Sequence, residues 1–180
     1  MRTMLLAVGL LGSVVASVAT GAESQRTEAT GLRFLVHSSW ARVPAASEMR
    51  AAQFRLPKAG SDTEDGELVL FHFGSGQGGG TQDNIDRWLG QIAQPDGSPT
   101  TAKAVTLIRT VNGLKVTSVD ASGSYTGMGD KAPRTGWRLL GGVVEGKGGP
   151  WFWKAVGPAT TIEAAKVGFE TLLGSVEAHQ

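Results

Sequence analysis

The dipeptide Asn112-Gly113 lies between two alternating apolar runs, and it limits the architecture of this chain more than any other feature. Both residue types accept positive φ, so the pair favours the type I′ turn whose twist matches two antiparallel strands. Ahead of it, 104–111 places Val105, Leu107 and Val111 on one face; behind it, 114–120 reads as the return strand. A second hairpin follows in 137–144 and 151–156, joined by Glu145-Gly-Lys-Gly-Gly-Pro150. Three further runs have strand character. Leu32, Phe34 and Val36 alternate with polar or small neighbours, 49–56 runs up to Pro57, and Glu67-Leu-Val-Leu-Phe-His-Phe73 is apolar on both faces. A run of the last kind predicts a central strand covered on both sides.

Two helices are predicted. The first starts at Thr81 as N-cap, with Asp83 and Asp86 in its early turns and an apolar stripe of Ile85, Trp88, Leu89 and Ile92. Pro95-Asp96-Gly97 ends it. The second carries a Thr160–Glu163 capping box ahead of Ile162, Ala165, Phe169, Leu172, Leu173 and Val176. Gly168 inside it predicts a close approach to a neighbouring element. Residues 58–66 and the Gly-, Ser- and Pro-rich stretch 121–136 read as loops. Hairpins dominate, so the fold class is α+β: a mainly antiparallel sheet of about six or seven strands flanked by two helices.

Arg2 followed by the apolar run 4–18 and small residues has the form of a signal peptide over residues 1–22, with cleavage after Ala19 or Ala22. The run is shorter than the ~20 residues a bilayer-crossing helix needs. This gives three parts: a signal peptide (1–22), a polar flexible tether (23–30) and one domain (31–180). The expected location is periplasmic or extracellular, with no membrane insertion after cleavage. The chain has no cysteine, which excludes disulfides, thiolate nucleophiles, Cys-ligated metals and a lipid anchor at the processing site. Of 17 basic and 16 acidic side chains, only Arg2 falls in 1–22, leaving 16 of each. That balance argues against nucleic acid, which needs a basic stripe.

Few motifs carry chemistry. Gly74-x-Gly76-x-x-Gly79 matches the dinucleotide fingerprint in form, after a strand and before a helix. The hairpin-rich context, the missing acidic residue after the next strand, and Asp83 and Asp86 at the helix start all oppose a bound phosphate. His37, His72 and His179 share no metal-ligand spacing, so no metal and no cofactor is expected. Trp40, Trp151 and Trp153, if exposed, would form a stacking platform; aromatic residues at strand spacing more often belong to the core.

Several phrases resemble a group of uncharacterised exported bacterial proteins: Trp40-Ala-Arg-Val-Pro44, 49–57, Phe73-Gly-Ser-Gly-Gln-Gly-Gly79, Asn84-Ile-Asp-Arg-Trp88 and Gly148-Gly-Pro-Trp-Phe-Trp-Lys154. The order of elements also resembles the PsbP-like fold, named for the accessory protein of the photosynthetic oxygen-evolving complex. That resemblance implies partner binding in preference to catalysis. The leading expectation is an exported, non-enzymatic binding or accessory module for a protein or cell-envelope partner. Its contact surface would be the rim of Gly76, Gln77, Gly78 and Gly79 with nearby aromatics. The alternatives are a glycan or small apolar ligand held by Trp40, Trp151 or Trp153, and a hydrolase centred on His72. An exposed Trp face would mark the former; a carboxylate and a hydroxyl beside His72 would mark the latter.

Overall fold

The computed structural model describes residues 24–179. The signal peptide read at 1–22 lies outside the described residues. In chain order the elements are β1 (Ser24–Ala29), β2 (Leu32–His37), β3 (Ala41–Val43), β4 (Arg50–Leu56), β5 (Gly66–His72) and α1 (Thr81–Leu89). Then come β6 (Ile92–Ala93), a 3-10 turn (Thr100–Ala102), β7 (Val105–Val111), β8 (Leu114–Tyr125) and β9 (Arg134–Glu145). The chain closes with β10 (Trp151–Pro158), α2 (Ala159–Gly174) and β11 (Glu177–Ala178). The main sheet has the order β3-β4-β5-β10-β9-β8-β6, with β7 also paired to β8, and a small sheet has the order β1-β2-β11. Every pairing is antiparallel. β5 is central, between β4 and β10, as its two apolar faces require.

Two expectations about the strands need correction. Residues 24–29, read as a tether, form β1, which pairs along its length with β2 from Ser24↔His37 to Ala29↔Leu32. Its polar sequence shows no alternation because this strand is an edge. The pairing partner, β2, supplies the apolar side chains. The loop expected over 121–136 shrinks to 126–133, because β8 and β9 each run for 12 residues. Pairing of the two strands with each other, from Ala121↔Leu139 to Tyr125↔Arg134, overrides the weak strand propensity of this Gly-rich stretch.

The helices lie on opposite faces of the main sheet, so there are two cores. On one face α2 and β2 bury Phe34, Trp153, Phe169, Leu172 and Leu173. On the other α1 buries Ile85, Trp88 and Leu89 against Val119, Leu139, Val143 and Phe152. Gly141 and Gly142, consecutive in β9, make this possible. A Cβ at Gly141 would lie 2.5 Å from the Trp88 ring, and one at Gly142 would lie 2.8 Å from Leu173. Successive strand residues face opposite sides, so this pair opens a seat for each helix.

The helix starts differ from the sequence reading in their chemistry. Gly80, not Thr81, is the N-cap of α1, and its N–H donates to Asp83 Oδ2 at 3.3 Å. Thr81 Oγ1 donates instead to Glu145 Oε1 at 2.9 Å. α2 begins after Pro158, and its free amide end is satisfied from a distance: Thr161 N and Oγ1 both donate to Asp62 Oδ2, at 2.7 and 2.8 Å. Glu163 pairs with Arg138. That guanidinium also forms a two-pronged bond to Asp120, at 2.7 Å in each arm. Lys166 completes the group at 2.9 Å from Asp120 and ties α2 to the sheet.

Candidate functional site

β5 runs out of the sheet at His72, and the chain then turns through Gly74–Gly80 into α1. Two glycines explain why this loop lies where it does. At Gly78, φ is +85° and a Cβ would lie 2.6 Å from Phe152 and 2.7 Å from Phe73. Across from it, Gly149 (φ +112°) in the β9–β10 turn allows its backbone to approach the Gly74 carbonyl, where any side chain would collide. The two glycine-rich turns are therefore seated on each other at one end of the sheet.

The loop is tied to the helix behind it. Asn84 Nδ2 donates to the carbonyl oxygens of Gly78 and Gly80, both at 2.9 Å, and Asn84 is buried. Within the loop, Gln77 N donates to Gly74 O at 3.3 Å. Asp83 places a carboxylate at the helix start, where a phosphate would otherwise sit. Both neighbours of β5 are antiparallel, so the dinucleotide-binding frame is absent here.

The outer surface of this rim is glycine and neutral polar side chains, with an aromatic row beside it. Ser75, Gly76, Gln77 and Gly79 are exposed. Phe71, Phe73 and Phe152 form a row, with ring centres 6.4 Å apart for Phe71–Phe73 and 6.2 Å for Phe73–Phe152. The row climbs from the buried Phe152 to Phe73, which is 41% exposed. Met49, 60% exposed, precedes Arg50, the residue paired with Phe71 at this same end. Arg50 reaches back to Glu67 at 2.9 Å, and Glu145 pairs with Lys115 at 2.9 Å. The hydrogen bond from Lys115 keeps Glu145 below the usual carboxylate range.

The three candidate tryptophans offer no open ring face, which corrects the platform reading. Trp151 is 2% exposed and donates from Nε1 to Thr30 O at 3.1 Å. Trp153 is fully buried and meets Phe34 edge-on at 4.7 Å. Trp40, 7% exposed, lies against α2 where Gly168 leaves room; a Cβ there would be 2.7 Å from its ring. It forms part of one wall of a cleft of about 380 Å³ together with His37, Ser39, Lys58 and Thr161. His72 stacks on Trp151 at 5.0 Å, and its Nδ1 is 3.1 Å from Pro150 O. Among the described residues no carboxylate or hydroxyl is hydrogen-bonded to it.

One residue with perturbed chemistry escaped the sequence reading. Lys154, a lone cation in the apolar run Trp151-Phe-Trp-Lys-Ala-Val156, projects onto the α1 face. Its ammonium donates to Gln91 Oε1 at 2.6 Å and Tyr125 OH at 3.0 Å, both neutral. Burial pushes it down to about 8, against the opposing pull of Glu67. Its isolation in that strand was the available signal.

No family model matches the chain, and no curated protein is similar to it in sequence. A solved structure is: cyanobacterial PsbP (CyanoP) from Synechocystis sp. PCC 6803, at 17% identity with a TM-score of 0.53, covering 93% of this chain and all of that one. The fold is PsbP-like. At this level of identity the likeness is one of architecture alone. A protein of unknown function from Pseudomonas aeruginosa, PA94, is also similar in structure, at 11% identity, TM-score 0.45, with 83% of this chain and 92% of that chain covered. Among the described residues of this PsbP-like chain, no helix is long and apolar enough to cross a membrane. No group of three His, Cys, Asp or Glu among them is placed to hold a metal ion.

Proposed function

We propose that this PsbP-like chain is an exported, non-enzymatic binding or accessory module that engages a protein partner of the cell envelope through its glycine rim. The observation that carries this is Phe73, exposed beside a loop fixed from behind, with Met49 exposed at the same end of the sheet. A loop held by Asn84 and by the Gly149 turn loses little freedom on binding, which lowers the cost of association. Phe73 and Met49 are already partly covered, so burying the remainder contributes about 1 kcal/mol each. A protein fits this surface better than a glycan, because the tryptophans that would stack on sugars are inside. The near balance of charge fits a surface that recognises shape and apolar area. Export rests on the form of residues 1–22.

The test is affinity capture from an envelope extract by the purified protein and by a Phe73→Ser/Met49→Ser variant. A protein retained by the first and lost by the second supports the reading. Equal retention by both, with the variant folded, would count against it.

A further inference from the structure

The main sheet leaves one long edge bare. β7 pairs with β8 through Val105↔Asp120 to Val111↔Leu114, and no other strand covers its outer side among the described residues. The opposite edge, β3, has only three residues. β7 has seven, and its Val105, Leu107 and Ile108 are 57%, 57% and 67% exposed. Edge strands are ordinarily guarded by Pro, a bulge or an outward charge. This strand has none: its only charge, Arg109, is turned down onto α2, where Nη2 donates to the Glu170 carbonyl oxygen at 3.3 Å.

We infer that β7 pairs with β7 of a second copy of this chain, antiparallel and with the two-fold axis at Ile108. The register follows from the hairpin. In a two-residue hairpin the residues flanking the turn, Val111 and Leu114, exchange both backbone bonds, and the pattern alternates along the strand. Thr106, Ile108 and Thr110 therefore point their N–H and C=O outward. Centring on Ile108 matches each to an outward-pointing residue of the other copy: Ile108 to Ile108, and Thr106 to Thr110.

Side chains and charges agree with this pairing. Ile108 meets Ile108, Val105 meets Val111, and Arg109 faces Leu107, so no charge meets a like charge. The chain is nearly neutral, with formal net charge +1, so two copies do not repel at a distance. The partner that this register fits is the same strand of a second copy, whose one charge, Arg109, is held on its own α2. Seven residues a side place the interface below about 1,200 Å² in total, the range of weak, reversible association. In the order of the sheet β10, β9 and β8 separate this edge from β5 and the rim, so the inference stands apart from the proposed function.

The test is sedimentation velocity of the purified protein over a concentration series, with Ile108→Lys alongside. Ile108 is exposed, so this substitution leaves the fold intact, as circular dichroism will verify. The wild type should pass from monomer to dimer with concentration, and Ile108→Lys should remain monomeric. The absence of cysteine allows a second readout of register. In an Ile108→Cys variant the two sulfurs meet across a pair whose Cα separation is about 5.5 Å, within disulfide reach, and oxidation should give a covalent dimer. Thr106→Cys lies opposite Thr110 and should not cross-link to itself. A wild type that stays monomeric throughout would overturn the inference and leave the edge to another partner. An Ile108→Lys variant that dimerises like the wild type would overturn it too.

Discussion

Gly141→Ala tests the way two helices share one strand. The added Cβ would lie 2.5 and 2.6 Å from Cε3 and Cζ3 of Trp88 and 2.8 Å from Val119 Cγ1. Carbon atoms in good contact are about 3.5–4.0 Å apart, so the indole must withdraw by roughly 1 Å. Trp88 is a rigid ring, 4% exposed, with the sheet on one side and its own helix on the other. Overpacking of this kind costs about 1–3 kcal/mol. Replacing a strand glycine by alanine returns about 0.5–1 kcal/mol, leaving a net loss of about 1–2 kcal/mol. With a urea dependence of about 2 kcal/mol per molar, the unfolding midpoint should fall by about 0.5–1 M. The decisive step repeats the substitution in a Trp88→Ala background, which by itself costs about 3–5 kcal/mol. With the ring gone, most of the loss should disappear, leaving only the 2.8 Å contact with Val119, a coupling that only contacting residues show. An equal loss in both backgrounds would refute the steric account of Gly141.

Two further expectations concern groups that sequence reading misplaced or missed. Asp62→Ala removes the acceptor for Thr161 N and Oγ1 at the start of α2. It should cost about 1 kcal/mol in urea unfolding, as loss of a helix cap does; an unchanged midpoint would show that water caps this helix equally well. Lys154 releases its proton near pH 8 in the fold, against 10.5 when free. Between those values the unfolded chain binds more protons than the folded one, so this group adds stability as pH rises through the window, about 3 kcal/mol at most. The wild-type minus Lys154→Met difference in unfolding free energy should be flat below pH 8 and climb from pH 8 to 10.5. A difference that stays flat throughout would mean that the ammonium is well solvated.

Much of this architecture could be read from local pattern. Asn112-Gly113 holds φ of 49° and 80°, joins β7 to β8 and forces antiparallel pairing, and the two apolar faces of β5 predicted its central position. What escaped depends on partners distant in sequence. β1 is polar because β2 provides its order. The α2 cap comes from Asp62, 99 residues before Thr161, so no local box could reveal it. The Gly141-Gly142 pair reads as a weak stretch of strand until Trp88 and Leu173 are seen against it. At the candidate site, the glycine loop was visible as composition. Its anchoring by Asn84 and Gly149 and the exposure of Met49 at the same end of the sheet were not, since they need the β4–β5 and β9–β10 registers. The buried tryptophans followed the usual fate of aromatic side chains at strand spacing, and Trp40 owes its burial to a glycine in a helix 128 positions later.

The proposed role of the rim is tested most directly by placing a photo-activated cross-linking side chain at Gln77, which is exposed at its tip, and at Glu64, exposed in the loop before β5 at the opposite end of the sheet. Irradiation in intact envelope should yield a discrete heavier adduct from position 77 and none from position 64. Adducts of the same mass from both positions, or none from position 77, would contradict the assignment of partner binding to the glycine rim.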